Sequence, residues 1–335
     1  MTAIRTPSPT RRALITAAAL GLALFGCKAK GDSGAAGASG QAAASVPHFA
    51  FVTNNSSDFW NIAEKGVRKA EKDFGIKVDV FRPLKGEVSD QQRFLEDIQV
   101  QNFDGVAISP IDAEAMTPLL DKVAAHMPVV CDDSDAPKSK RIAYVGSNNV
   151  EAGRAAGRAA IDALAAAGMK TGKVALFVGR MDMQNAIDRK QGIEETLGKQ
   201  SGLEILPVFL DGADRAKAKK NVEDALARYP DLVLMMGIWS YNGPALAGAT
   251  RASTRAKKPA IVVFDEEEET LKAIQDGLIF ATIAQKPFEF GYQSMQQLKN
   301  AKDAKPVTVS VDTGLVTVEK ANLDQFWEQL RTLKK

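Results

Sequence analysis

Gly105-Val106-Ala107-Ile108-Ser109, a helix-length segment and then Pro128-Val129-Val130-Cys131-Asp132 make one pattern. Leu232-Val233-Leu234-Met235-Met236, a second helix-length segment and then Pro259-Ala260-Ile261-Val262-Val263-Phe264-Asp265 repeat it. Each copy reads as strand, helix, strand, with an acid at the end. Short, continuously apolar runs of this kind are strands covered by helices on both faces, which is how parallel sheets are built. In open α/β sheets ligands bind outside the carboxyl ends of the strands. Two such units facing each other would bring both acids to one cleft.

The same alternation extends in both directions. Further strands are predicted at Phe49–Thr53, Val78–Phe81, Ile142–Val145, Val174–Val178, Ile205–Phe209 and Ala281–Ala284, separated by amphipathic helical segments. With the four strands of the repeat, that is too many for one small sheet, and residues 47–335 are long enough for two domains. The expected fold class is therefore α/β with two Rossmann-like lobes, each a parallel sheet.

The amino terminus is different in kind. Thr10-Arg11-Arg12 precedes an apolar stretch from Ala13 to Phe25, too short for a mature membrane span, and Leu24-Phe25-Gly26-Cys27 resembles a bacterial lipoprotein signal. Residues 1–26 are read as the signal peptide, and Cys27 as the lipidated first residue of the mature chain. Acyl chains contribute about 0.8 kcal/mol per buried CH₂, so more than one chain gives stable anchoring. Residues 27–46 are the anchor and a linker of Gly, Ala, Ser and Gln, whose 19 residues after the cysteine span roughly 22 to 26 Å as a flexible coil. The predicted location is the periplasm or cell envelope, tethered to a membrane.

Charge and cysteine usage exclude several partners. The chain carries +2, and loss of Arg5, Arg11 and Arg12 with the signal leaves −1, so nothing suggests a nucleic-acid surface. Of the two cysteines, Cys131 has no partner once Cys27 is lipidated, and at the end of an apolar strand it reads as a buried thiol.

Asn54-Asn55 with Asp58-Phe59-Trp60, Ser147-Asn148-Asn149 with Gly153, Ala186-Ile187-Asp188-Arg189, Val263-Phe264-Asp265 and Ala281-Thr282-Ile283-Ala284-Gln285 follow one another in a specific order and spacing. On these landmarks the mature chain resembles the bacterial periplasmic sugar-binding proteins of the ribose and galactose type, the solute receptors of ABC importers. The resemblance runs from about Phe49 to Val318. It implies a type I periplasmic binding protein, with two lobes joined by a three-crossing hinge near 147–149, 285–287 and 311–314. The first lobe would combine residues 47–147 with 286–311, and the second 148–285 with 312–335. Leu323-Asp324-Gln325-Phe326-Trp327 reads as a packing helix.

A sugar has C–H faces that aromatic rings cover and hydroxyls that carboxylates and guanidinium groups engage through charge-assisted bonds. The resemblance assigns ring stacking to Phe59 and Trp60, and hydroxyl binding to Asn55, Asp132, Arg189, Asp265 and Gln285. Two departures follow. Asp133 stands where the ribose-type pattern has arginine, which argues against ribose itself and leaves two adjacent acids to be compensated by Arg189 or the ligand. Ala213 stands where an aromatic is expected; Trp239-Ser240-Tyr241-Asn242 offers a substitute wall, with Trp239 stacking and Asn242 hydrogen-bonding.

The implied function is capture of a monosaccharide or related polyol by a monomeric, lipid-anchored receptor that delivers it to an ABC permease in the inner membrane, with no cofactor and no metal. Closure of the lobes is favoured by a ligand touching both. The alternative is a sensory receptor for a sugar, or for an autoinducer-2-like furanosyl signal suggested by Asp133-Ser134-Asp135, that presents its closed form to a membrane signalling protein. Glycosidase chemistry would need opposed acids as well, but the overall pattern favours a binding protein over an enzyme. His48 and His126 have no metal-ligand spacing, and no phosphate-cradling or dinucleotide motif occurs. Glu266-Glu267-Glu268-Glu269 reads as a helix start favoured by exposed backbone N–H groups. Sugar-responsive repressors share the fold, but they carry a DNA-binding module where this chain has its export signal.

Overall fold

The computed structural model describes residues 45–83 and 86–334, so the signal segment, Cys27 and most of the linker lie outside the described residues. The first part of the chain forms β1 (His48–Val52), α1 (Asp58–Phe74), β2 (Lys77–Phe81), α2 (Val88–Ile98), β3 (Gly105–Ile108), α3 (Ala113–Ala124), β4 (Val129–Asp132) and β5 (Ala143–Gly146). It continues through α4 (Asn149–Ala166), β6 (Gly172–Val178), α5 (Gln184–Leu197), β7 (Leu203–Ile205), β8 (Phe209–Leu210), α6 (Arg215–Arg228), β9 (Leu232–Gly237) and α7 (Asn242–Ala252). The remainder is β10 (Ala260–Phe264), α8 (Glu268–Gln275), β11 (Ala281–Ala284), α9 (Pro287–Lys302), β12 (Ser310–Asp312), β13 (Val316–Glu319) and α10 (Leu323–Lys334).

These strands form two sheets with one winding. The first has the order β12-β5-β4-β3-β1-β2 with every pair parallel. The second has the order β13-β11-β10-β9-β6-β7, with β8 also on β6; it is parallel except for β13, which runs antiparallel to β11. In each sheet the strand order reverses beside its first strand, between β1 and β3 and between β6 and β9, and such a reversal leaves a crevice at the carboxyl ends. The chain passes from one sheet to the other three times, between β5 and α4, between β11 and α9, and between β12 and β13.

Alternation within each strand feeds two cores. Phe49 and Phe51 of β1 pack with Trp60, Val67, Met295 and Leu298, whereas Ala50 and Val52 pack with Leu95, Leu120, Val123 and Cys131. In the second sheet Met235 joins Leu246, Leu271 and Ile274, while Leu234 and Met236 join Ala156, Ala160 and Ile193. Each large side chain so buried contributes about 1.5–3 kcal/mol. Cys131 is wholly buried, which pushes its thiol far above the ordinary range. Leu323 and Leu330 bury one face of α10 with Phe326 and Trp327 against it, as its amphipathic pattern requires.

Two helix pairs approach through glycine. A Cβ on Gly66 of α1 would lie 1.9 Å from the Phe288 carbonyl oxygen of α9, and one on Gly153 of α4 would lie 2.1 Å from the Arg189 carbonyl oxygen of α5. The second contact presses the backbone of Arg189 onto α4.

All ten expected strands are present, with two differences. The expected strand at 205–209 is split into β7 and β8, because Pro207 has no N–H to give the ladder. β12 and β13 are too short to announce themselves by periodicity; each completes the far edge of a sheet. The acidic run supplies the start of α8, with Glu268 and Glu269 in its first turn.

Candidate functional site

A cavity of about 270 Å³ lies at the carboxyl ends of strands from both sheets. From the side of the first sheet it is lined by Asn54 and Asn55 after β1, Phe59 and Trp60 at the start of α1, and Asp133 after β4. From the side of the second come Asn185 and Arg189 of α5, Trp239 after β9, Asp265 after β10 and Gln285 after β11. Its volume is just below the range of drug-sized small-molecule pockets, about 300–1,000 Å³.

Asp265 lines the cavity where the repeat suggested, whereas in the first copy the equivalent position is held by Asp133, one residue beyond the expected Asp132. Asp133 and Asp265 each follow their strand directly with φ of 56° and 65°, a left-handed backbone that Asp adopts more readily than most residues. Asp132, expected to bind, is the last residue of β4, because that strand runs one residue further than its apolar run predicted. It is fully buried, does not line the cavity, and neither carboxyl oxygen has a hydrogen-bond partner among the described residues. Burial, with Asp133 alongside, pushes its carboxyl well above the usual carboxylate range.

Asp133 is held from three sides. Its Oδ2 accepts from Asn54 Nδ2 at 3.1 Å, Ser109 Oγ at 3.0 Å and Asn185 Nδ2 at 3.3 Å, the last reaching across from α5. Burial raises its pKa, opposed by the Arg189 charge and these three donors. The sequence predicted that Arg189 or the ligand would compensate the acids at 132 and 133; the Arg189 charge favours the ionised Asp133, while its own hydrogen bonds go to Asn149 and the Ile238 carbonyl.

Arg189 is 1% exposed. Its Nε donates to Asn149 Oδ1 at 2.9 Å, its Nη1 donates to the Ile238 carbonyl at 2.9 Å, and its guanidinium lies 4.5 Å from the centre of the Phe264 ring. The nearest carboxylate oxygen, Asp265 Oδ2, is 3.9 Å from Nη1. Asp265 Oδ1 accepts from Gln285 Nε2 at 2.9 Å. Burial carries the Asp265 carboxyl up to about 6, against the pull of Arg189 and Gln285.

The aromatic residues divide by role. Trp60 is 1% exposed, donates from Nε1 to Asn54 Oδ1 at 3.0 Å and packs edge-on to Phe51 and Phe59, so it is the buried part of the wall and braces Phe59 and Asn54. Phe59 is half-buried, its ring also against Phe290. Asn55 is tied into its own loop, donating to Asn54 Oδ1 at 2.7 Å and accepting from the Ser57 N–H at 2.8 Å. Asn242 is not at the cavity. It opens α7 fully buried, with Oδ1 accepting from the Trp239 N–H at 3.0 Å and Nδ2 donating to Asp211 Oδ2 at 3.1 Å. Those bonds use its side chain to hold the loop, which corrects its expected place among the lining residues.

Sequence reasoning passed over Asn54 and Asn185. Asn185 lies one turn before Arg189, the i, i+4 spacing that puts two residues on one helix face, and that signal was available. It also passed over Arg180 and Arg215, which line the cavity with their charges met by Asp182 and Glu267.

Four buried polar atoms on lining residues have no hydrogen-bond partner among the described residues: Asn185 Oδ1, Arg189 Nη2, Trp239 Nε1 and Gln285 Oε1. Buried polar atoms in folded proteins are nearly always paired. Two acceptors and two donors on one small cavity match a molecule whose groups both give and accept hydrogen bonds, as hydroxyls do.

The profile of the periplasmic binding protein domain matches residues 49–306. The chain belongs to the periplasmic binding protein family. This periplasmic binding protein is 26% identical over 282 residues to the D-allose-binding periplasmic protein of Escherichia coli, covering 78% of this chain and 89% of that one. It is 26% identical over 266 residues to the ribose import binding protein RbsB of Bacillus subtilis, covering 79% and 84%. Among solved structures, an ABC transporter solute-binding protein of Burkholderia graminis in complex with D-arabinose superposes with a TM-score of 0.78 at 26% identity, covering 83% of this chain and 96% of that one. The type I α/β architecture with two largely parallel sheets is thus that of the family, and the chain is a binding protein and not an enzyme.

Proposed function

We propose that this protein is a lipid-anchored receptor of the cell envelope that captures a monosaccharide between its two sheets and delivers it to an ABC-type importer. The observation that carries the reading is the set of four unpaired polar atoms, on Asn185, Arg189, Trp239 and Gln285, around a cavity the size of one sugar ring. The relatives named for D-allose and for ribose import, and the structural neighbour holding D-arabinose, support the ligand class. Asp133 and Asp265 present carboxylates from opposite sheets, so a bound sugar would bridge them and favour the closed arrangement. Asn55, Phe59 and Trp60 form the wall on one side, and Arg189, Trp239 and Gln285 the other. Cys27 carries the lipid, and residues 27–46 are the tether, leaving the domain free to meet the permease as a monomer.

Thermal unfolding and calorimetry of the purified full-length protein against pentoses, hexoses, amino sugars, inositols and autoinducer-2 test this. One narrow class of polyol should stabilise it, by about 2.7 kcal/mol at a hundredfold excess over Kd, and Arg189→Ala should abolish the effect. Failure of every sugar to bind, or undiminished binding by Arg189→Ala, would sink the proposal. Loss of membrane retention on Cys27→Ser checks the anchor.

A further inference from the structure

Trp239 occupies a place that few side chains could share. Its six-membered ring lies on the backbone of Gly179, where a Cβ would come within 2.1 Å of Cζ3 and 2.7 Å of Cε3. Only glycine admits that approach. Ala213, another lining residue from the same sheet, has φ of 64° and a side chain of one carbon, so it brings no aromatic ring to the cavity beside the indole.

The loop that carries the indole is fixed by a buried brace. The Asn242 side chain accepts from the Trp239 N–H and donates to Asp211, and Asp211 Oδ1 accepts from Tyr241 Oη at 2.5 Å and from the Ala213 N–H at 2.9 Å. Tyr241 in turn packs edge-on to Trp239, with ring centres 6.2 Å apart. Asp211, Tyr241 and Asn242 are all buried, and only Tyr241 reaches the cavity lining. A brace of this kind spends four hydrogen bonds on the position of one ring. The ring's own polar atom, Nε1, is buried and has no partner among the described residues.

From this geometry we infer that Trp239 is a specificity-determining residue, that its indole N–H donates to an oxygen of the bound sugar, and that Asp211 and Asn242 are positioning residues for it. The inference rests on the sugar-receptor reading and deepens it. An indole N–H donates and never accepts. The position it meets on the sugar must therefore carry an oxygen with a free lone pair; a deoxy carbon or a protonated amino group there leaves the N–H unpaired. The preferred ligands are neutral sugars bearing that oxygen, and sugars deoxygenated or aminated at that carbon lose the worth of this one bond.

The test uses the full-length protein and whichever of D-ribose, D-allose, D-arabinose, D-glucose or D-galactose the wild type binds most tightly, with the monodeoxy and amino analogues of that sugar. Trp239→Phe keeps an aromatic ring and removes the donor. Its Kd for the parent sugar should rise by about three- to tenfold, the worth of one hydrogen bond. One monodeoxy analogue, and its amino counterpart, should be bound equally by wild type and Trp239→Phe, since that analogue has already lost the interaction. Asn242→Ser, which frees the loop, should weaken the parent sugar and shift the tryptophan emission of the unliganded protein, while leaving the rank order of the other deoxy analogues intact. Equal affinities of wild type and Trp239→Phe for the parent sugar, or a uniform loss across all deoxy analogues, would overturn the inference while leaving the receptor reading standing. Absence of binding to every sugar by the wild type overturns both.

Discussion

Asp265→Asn isolates one charge at the end of β10 without changing its volume. In the wild type, burial moves the carboxyl from 3.8 up to about 6, in spite of Arg189 and of the hydrogen bond from Gln285. A carboxyl with a folded-state value above its unfolded one keeps a proton that the unfolded chain gives up. Its contribution therefore favours folding at low pH and is lost as the pH rises from 3.8 through about 6. Between pH 5 and pH 7 that loss is about 1 kcal/mol of unfolding free energy. Asparagine retains an oxygen to accept from Gln285 Nε2 and does not titrate. Urea unfolding at pH 5, 6 and 7 should thus show the wild type losing about 1 kcal/mol more than Asp265→Asn across the interval. Equal pH slopes for the two proteins would refute the burial argument. The same substitution removes a charged acceptor from the cavity, so Kd for the sugar should rise at pH 7.5 by about 10- to 150-fold, the net worth of one charge-assisted bond. For the wild type, affinity should decline as the pH falls below about 6; a flat profile for it, or a similar decline in Asp265→Asn, would remove Asp265 from the site.

Gly153→Ala places a methyl group 2.1 Å from the Arg189 carbonyl oxygen. α5 must shift, costing about 1–3 kcal/mol in urea unfolding and weakening sugar binding through Arg189; unchanged affinity would show that the helix contact does not position the arginine. Cys131, wholly buried with its thiol pushed up, should resist a thiol-specific reagent in the native protein and react fully in denaturant, in a Cys27→Ser background. Rapid labelling of the native form would contradict its place in the core.

The layered architecture was legible because it depends on local pattern. Continuous apolar runs such as Val106–Ile108 and Ile261–Phe264 are buried on both faces in the structure, and the repeat of strand, helix and strand corresponds to two sheets of one winding. Much of the cavity was legible too: Asn55, Phe59, Trp60, Asp133, Arg189, Trp239, Asp265 and Gln285 all line it. Asp132 and Asn242 were misplaced for physical reasons. Neighbouring residues of a strand point to opposite faces, so an error of one residue in the end of β4 exchanges a cavity wall for the interior. Asn242 looked like a ligand donor because its amide is polar and near an aromatic; its partners, the Trp239 N–H and Asp211, are set by how α7 starts beside the end of β8.

From the sequence alone came the two-lobed α/β design and the chemistry available for a site, since each is written in composition, periodicity and short motifs. Only the tertiary structure decided which acid of the 132–133 pair faces the cavity, that Asn185 reaches across to Asp133, that Trp60 braces while Trp239 presents an unpaired donor, and that Asp211 holds the loop. Those outcomes turn on where strands end, where the backbone goes left-handed and which distant segments meet, and a contact between residues 133 and 185 has no local signature.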